Sequence, residues 1–140
     1  VGRALARLSA GRLCLLSYTD PADGVPRRAL VAVAAVDPGT GALHLVCASG
    51  PGTPWYRAVR RDPRVAVDYA GRRVGGRGRA MTPEESAACL AAYAHRRPRT
   101  VRRLLARRGN AGDYRPVDVR GAGRDRIPFV ELAPGPRSDW

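Results

Sequence analysis

The stretch from Leu43 to Tyr69, LHLVCASGPGTPWYRAVRRDPRVAVDY, gathers the residues best suited to chemistry in this chain. It reads as an apolar strand ending at Cys47-Ala48, a loop broken by glycine and proline, a short helix opened by Pro54, and a second strand. Ser49, Gly50, Gly52 and Thr53 place small residues and backbone N–H groups at the mouth of that helix. Unpaired N–H groups at a helix start converge on one point and favour an anion. Trp55 and Tyr56 add aromatic faces, and Arg57, Arg60 and Arg61 add permanent positive charge. A planar, anionic organic ligand suits such a site. Trp55 reads more readily as a packing anchor, although its indole could still form one wall of such a site.

A second candidate lies upstream. Arg27 and Arg28, followed by Ala29, stand at the start of a strand, where one guanidinium could grip a phosphate or carboxylate through two hydrogen bonds. A solvated strand edge is the competing explanation. Tyr114 lies in a Gly-rich segment ahead of the last strand and could position a substrate or donate a proton; an exposed loop tyrosine fits the same pattern. Tyr93 falls on a helix and reads as core. His44 and His95 have no Asp or Ser at recognisable spacing, which argues against a catalytic triad. Cys14, Cys47 and Cys89 show no metal-ligand spacing, and an odd cysteine count of this kind points to reduced structural thiols and a cytoplasmic setting.

The elements that must position these residues follow from turn and periodicity signals. Apolar runs at Arg12–Tyr18, Arg28–Val36 and Ala42–Ala48 are separated by Asp20–Gly24 and by Asp37-Pro38-Gly39-Thr40-Gly41. Val65–Tyr69 and Arg73–Ala80 form a hairpin around Gly71. Thr82-Pro83-Glu84-Glu85 is a helix start with a capping box, and the helix runs through Ala94 with Ala87, Ala88, Leu90 and Ala91 inward. A second helix spans Arg99–Arg108, 110–123 reads as loop, and Ile127–Leu132 as a final strand. Residues 3–9 form a short helical lead-in, and residues 135–140 a surface tail. Closely spaced strands with short turns suit a small barrel. With 140 residues the chain is expected to be one domain.

The net charge is +13, and all 25 basic residues are arginine. A basic chain invites a nucleic-acid reading, but no helix-turn-helix, zinc-finger, RNP or KH signature is present, and no specific nucleic-acid partner is expected. The GGRGR run at Gly75–Arg79 fits a barrel strand better than an RNA-binding segment. No apolar run reaches the ~20 residues needed to span a bilayer.

Taken together, small residues after an apolar strand, Trp55-Tyr56-Arg57, and Asp62-Pro63-Arg64-Val65 leading into a strand resemble the deazaflavin-dependent nitroreductase family. Gly24-Val25-Pro26-Arg27-Arg28 upstream, the helix pair, and Arg126–Leu132 at the end recur in the same order, over roughly residues 10 to 134. The resemblance implies an α+β, mainly β fold: a split β-barrel of about six strands with two or three flanking helices. It implies reduced coenzyme F420 (8-hydroxy-5-deazaflavin) as hydride donor, FMN as the lesser alternative, and an electron-poor small-molecule acceptor: an activated alkene, enone, quinone or nitro compound. A heme-binding barrel, or a non-catalytic module for anionic ligands, are the other readings, and either a monomer or a homodimer is compatible. Under the resemblance the cofactor contacts fall on Arg27, Arg28, Ala29, Cys47, Ala48, Ser49, Gly50, Gly52, Thr53, Pro54, Trp55, Tyr56, Arg57 and Arg60, with Tyr114 over the ring. The chain departs from the pattern in three places. Asp20-Pro21-Ala22-Asp23-Gly24 replaces a basic Gly-Arg-Lys-Ser-Gly segment, Gly50 stands where many members carry lysine, and Ala58 stands where asparagine is common.

Overall fold

The computed structural model describes residues 12–105 and 127–135. Within them, six strands close an antiparallel barrel: β1 (Leu13–Thr19), β2 (Pro26–Val36), β3 (Leu43–Val46), β4 (Arg64–Tyr69), β5 (Arg72–Ala80) and β6 (Phe129–Pro134). Their order around the barrel is β1-β2-β3-β6-β5-β4. Three helices accompany them, α1 (Pro54–Arg61), α2 (Pro83–Arg96) and α3 (Pro98–Leu105). The mainly β split-barrel architecture expected above is therefore present. The expected lead-in at 3–9, residues 106–108 of the second helix read from the sequence, the expected loop at 110–123 with Tyr114, and the expected tail from 136 lie outside the described residues.

Alternation along each strand divides the apolar residues between two cores. Cys14, Leu16, Val31, Val33, Leu43, Leu45, Val67, Val130 and Leu132 point into the barrel. Trp55, Tyr56 and Val59 of α1 join that interior core, so the helix packs its apolar face onto the barrel. Gly78 makes the approach possible, because a Cβ there would come within 2.7 Å of Val59 Cγ1. The outward face of β2, β3 and β6 contributes Val46 and Phe129, backed by Ala32 and Ala34. These pack against Met81, Leu90 and Tyr93 and against Val101, Leu104 and Leu105 of the two later helices.

Turn chemistry agrees with the sequence. Tyr69 pairs with Arg72 across a two-residue loop in which Ala70 (φ 51°) and Gly71 (φ 80°) are both left-handed. That geometry matches the right-handed twist of the flanking strands. At the start of α2 both capping-box bonds form: Glu85 N–H donates to Thr82 Oγ1 (3.1 Å), and Thr82 N–H donates to Glu85 Oε1 (2.9 Å). Arg79 on β5 grips the same carboxylate with two bonds of 2.9 Å. Those bonds, with the Thr82 N–H, hold the Glu85 carboxyl down at about 2.

One inward assignment on α2 needs correction. Ala88 is exposed, whereas Ser86, unremarked in the sequence, is buried. The physical reason is a hydrogen bond: Ser86 Oγ accepts from Phe129 N–H at 3.0 Å, tying α2 to the start of β6. A buried backbone donor at a strand end needs such a partner.

Candidate functional site: an arginine-walled groove on the barrel

The outward faces of β1, β4 and β5 build a groove of about 1200 Å³. Its floor follows from register. Arg28 faces Ser17, Ser17 faces Ala66, and Ala66 faces Gly75, so one transverse row across four strands ends in three small residues. Side chains this short leave the sheet surface open to a flat ligand. Around that floor stand Arg27, Arg28, Arg64, Arg73 and Arg77, with Tyr18, Thr19 and Pro26 completing the rim. Arg73, Gly75 and Arg77 are alternate residues of β5, so one face of a single strand supplies two cations and the gap between them.

The arginines are not equivalent. Arg73 lies 3.5 Å from the buried carboxylate of Asp68, and Arg64 makes a loose 3.8 Å contact with Asp62. Arg28 and Arg77 have no carboxylate partner among the described residues. Arg27 donates from Nε to Asp20 Oδ2 (2.9 Å) and from Nη2 to Asp23 Oδ2 (2.6 Å).

Of the residues singled out in the sequence, the fold brings Arg27 and Arg28 together at the groove. The segment Cys47–Arg60 does not line it. Cys47 is fully buried and its thiol donates to the Gly50 carbonyl at 3.0 Å. Trp55 and Tyr56, each 6% exposed, meet edge-to-face with centroids 6.2 Å apart inside the barrel core. Arg60 lies over the Tyr56 ring at 5.8 Å. Thr53 precedes α1 in extended backbone, but its hydroxyl donates to the Gly50 carbonyl (2.7 Å) rather than capping the helix. Ala29 and Ala48 are half-buried; Ser49, Gly52, Pro54 and Arg57 are exposed, and Gly50 is buried with φ 94°. The groove is the candidate ligand site, because it offers volume, a floor of short side chains and several cations, whereas Trp55 and Tyr56 of the segment 47–60 pack in the barrel core.

A thiol–imidazole–carboxylate cluster on β3, β6 and α2 is also of interest. His44 Nε2 is 3.8 Å from Glu131, and His44 Nδ1 is 3.9 Å from Cys89 Sγ. Burial, and then the carboxylates of Glu85 and Glu131, push the Cys89 thiol up, which disfavours a thiolate nucleophile. Cys14 is pushed up to about 12 by burial. Among the described residues no group of three His, Cys, Asp or Glu side chains could hold a metal ion. None of the helices there is long and apolar enough to cross a membrane.

Six antiparallel strands closed in this order, with helices on the barrel, make the fold a split β-barrel. Among solved structures, the chain is similar to the F420-H2 dependent reductase FDR-A at 19% identity and a TM-score of 0.52, over 86% of this chain and 93% of that one. It is also similar to the conserved hypothetical protein Rv2991 from Mycobacterium tuberculosis at 17% identity and a TM-score of 0.59, over 95% of this chain and 79% of that one. A third match is a Clostridium acetobutylicum protein of the pyridoxinephosphate oxidase family, at 10% identity and a TM-score of 0.52, over 93% of this chain and 80% of that one. Likeness at these identities shows the fold. No family model matches the chain, and no curated protein matches it.

Proposed function

We propose that this chain is an oxidoreductase that binds reduced F420 in the groove and passes a hydride to an electron-poor acceptor such as an enone, activated alkene, quinone or nitro compound. The observation that carries the reading is the Arg28–Ser17–Ala66–Gly75 row, whose short side chains form a floor flanked by arginines. The residue resemblance around Ser49–Arg64 and the barrel shared with an F420-H2 dependent reductase support the choice of cofactor.

The residues present fit such a group. Ser17, Ala66 and Gly75 would lie under the ring system, and the short side chains would let it approach the sheet closely. Arg28 and Arg77 would hold anionic groups of the ribityl-phosphate arm, with Arg64 beside them. Reduced deazaflavin supplies the hydride when bound, so the chain needs no nucleophile of its own; its share is orientation and charge. Tyr114, which the resemblance implies over the ring, would position the acceptor or donate the proton that accompanies hydride delivery to an alkene.

Exposed arginines hold anions with modest energy that salt screens, the Debye length shrinking from ~10 Å at 0.1 M to ~3 Å at 1 M. Arg28→Ala and Arg77→Ala are each expected to weaken F420 binding about fivefold at low salt and to flatten its salt dependence. Fluorescence titrations across ionic strength check this. Dissociation constants that stay at the wild-type value in both variants would remove the groove arginines from the site.

A further inference from the structure

The turn between β1 and β2 neutralises one of the groove's own cations. Asp20 and Asp23 each divide their carboxylate between two tasks. Their Oδ1 atoms accept backbone N–H groups, from Ala22 and Val25 respectively, both at 2.9 Å. Their Oδ2 atoms accept from Arg27, at 2.9 and 2.6 Å. The turn backbone is closed as well, with Asp20 N–H donating to Val25 O (3.0 Å) and Gly24 N–H to Asp20 O (2.8 Å). Gly24, at φ 71°, permits that path. The two carboxylates are thus held by the turn itself, which lowers the entropy cost that usually makes exposed ion pairs weak.

The charges do not balance. Two carboxylates surround one guanidinium, so this corner of the groove carries a net charge of about −1, while Arg28, Arg64, Arg73 and Arg77 line the rest. An anionic group entering beside Arg27 meets repulsion and would have to displace two hydrogen-bonded carboxylates. At the β4–β5 side, an anion meets Arg77 and Arg64 instead.

We propose that Asp20 and Asp23 are specificity-determining residues that withhold Arg27 from ligands, so that the groove takes a flat ring compound with its anionic groups at Arg28, Arg64 and Arg77 and discriminates against a polyanionic tail laid along the β1–β2 turn. This rests on the groove being the ligand site. Like-charge contacts of this kind set orientation and exclude alternatives more than they add affinity.

The test uses asparagine, which keeps the Oδ1 acceptor that each turn needs and removes the negative charge. D20N/D23N is expected to bind oxidised F420, with its phosphate and tail carboxylates, about tenfold more tightly than wild type, and FMN, with a single phosphate, by no more than about twofold. Adding R27A to that pair should remove the gain. Inorganic pyrophosphate, followed by calorimetry, is a probe that needs no ring site. A gain for pyrophosphate that R27A abolishes, in a protein that binds neither cofactor, would keep the clamp and discard the oxidoreductase reading. If D20N/D23N binds no probe more tightly, or if its gain survives R27A, the proposal is overturned.

Discussion

Ala66→Trp is expected to abolish cofactor binding while leaving the barrel intact. Ala66 sits in the middle of the groove floor, between Ser17 on β1 and Gly75 on β5, with its side chain on the outer face of the sheet. An indole there would cover its neighbours and occupy the plane that a flat ring must use. Tryptophan suits a strand, and the outward site is not part of the interior core, so folding should tolerate it. The expected loss is about 100-fold in F420 affinity, close to 2.7 kcal/mol, with a thermal midpoint near that of wild type. Fluorescence titration and a thermal melt of the same preparation check both halves. Undiminished affinity would place the ring elsewhere.

The largest stability effect is expected from Phe129→Ala. Phe129 is fully buried and is the largest side chain so enclosed among the described residues. It joins Val46 on the barrel wall to Met81, Leu90 and Tyr93 in the second core. Its backbone is pinned as well: its N–H donates to Ser86, and its carbonyl accepts from Met81 N–H at 2.9 Å. The pinned strand leaves little freedom for the site to collapse, so most of the cavity should persist. The expected cost is about 3–5 kcal/mol, a large share of the roughly 5–15 kcal/mol that a domain has. Urea unfolding followed by tryptophan fluorescence measures it. A loss below about 1 kcal/mol would mean that the helices do not depend on this contact to stay on the barrel.

The sequence makes the frame legible where the signal is local. Proline and glycine mark the turns, strand alternation separates the two cores, and Thr82 with Glu85 announces α2 through a device complete within four residues. The groove is another matter. Ser17, Ala66 and Gly75 share a row only because β1 pairs with β4 and β4 with β5, and no local pattern records that register. The outward alternation of Arg73, Gly75 and Arg77 was a usable signal, since two cations flanking a glycine on one strand face outline a gap. Trp55 was legible as a packing anchor, since a short helix that packs onto a barrel needs large apolar side chains to fill the interior, and Tyr56 joins it in that core. Arg27 was visible as a cation, and Asp20 and Asp23 as a departure from a basic segment. That the three engage one another depends on how the turn folds back, with two carboxylates held by backbone N–H groups within hydrogen-bond reach of the guanidinium.

The central claim is that the groove holds a deazaflavin, and a parallel titration tests it most directly. Oxidised F420 and FMN are added separately to the wild-type protein at one low ionic strength, and their own fluorescence reports binding. The expected result is saturable binding of both ring systems with F420 the tighter, and competition between the two for a single site. FMN binding at least as tightly as F420 would contradict the assignment, and so would the absence of saturable binding by either.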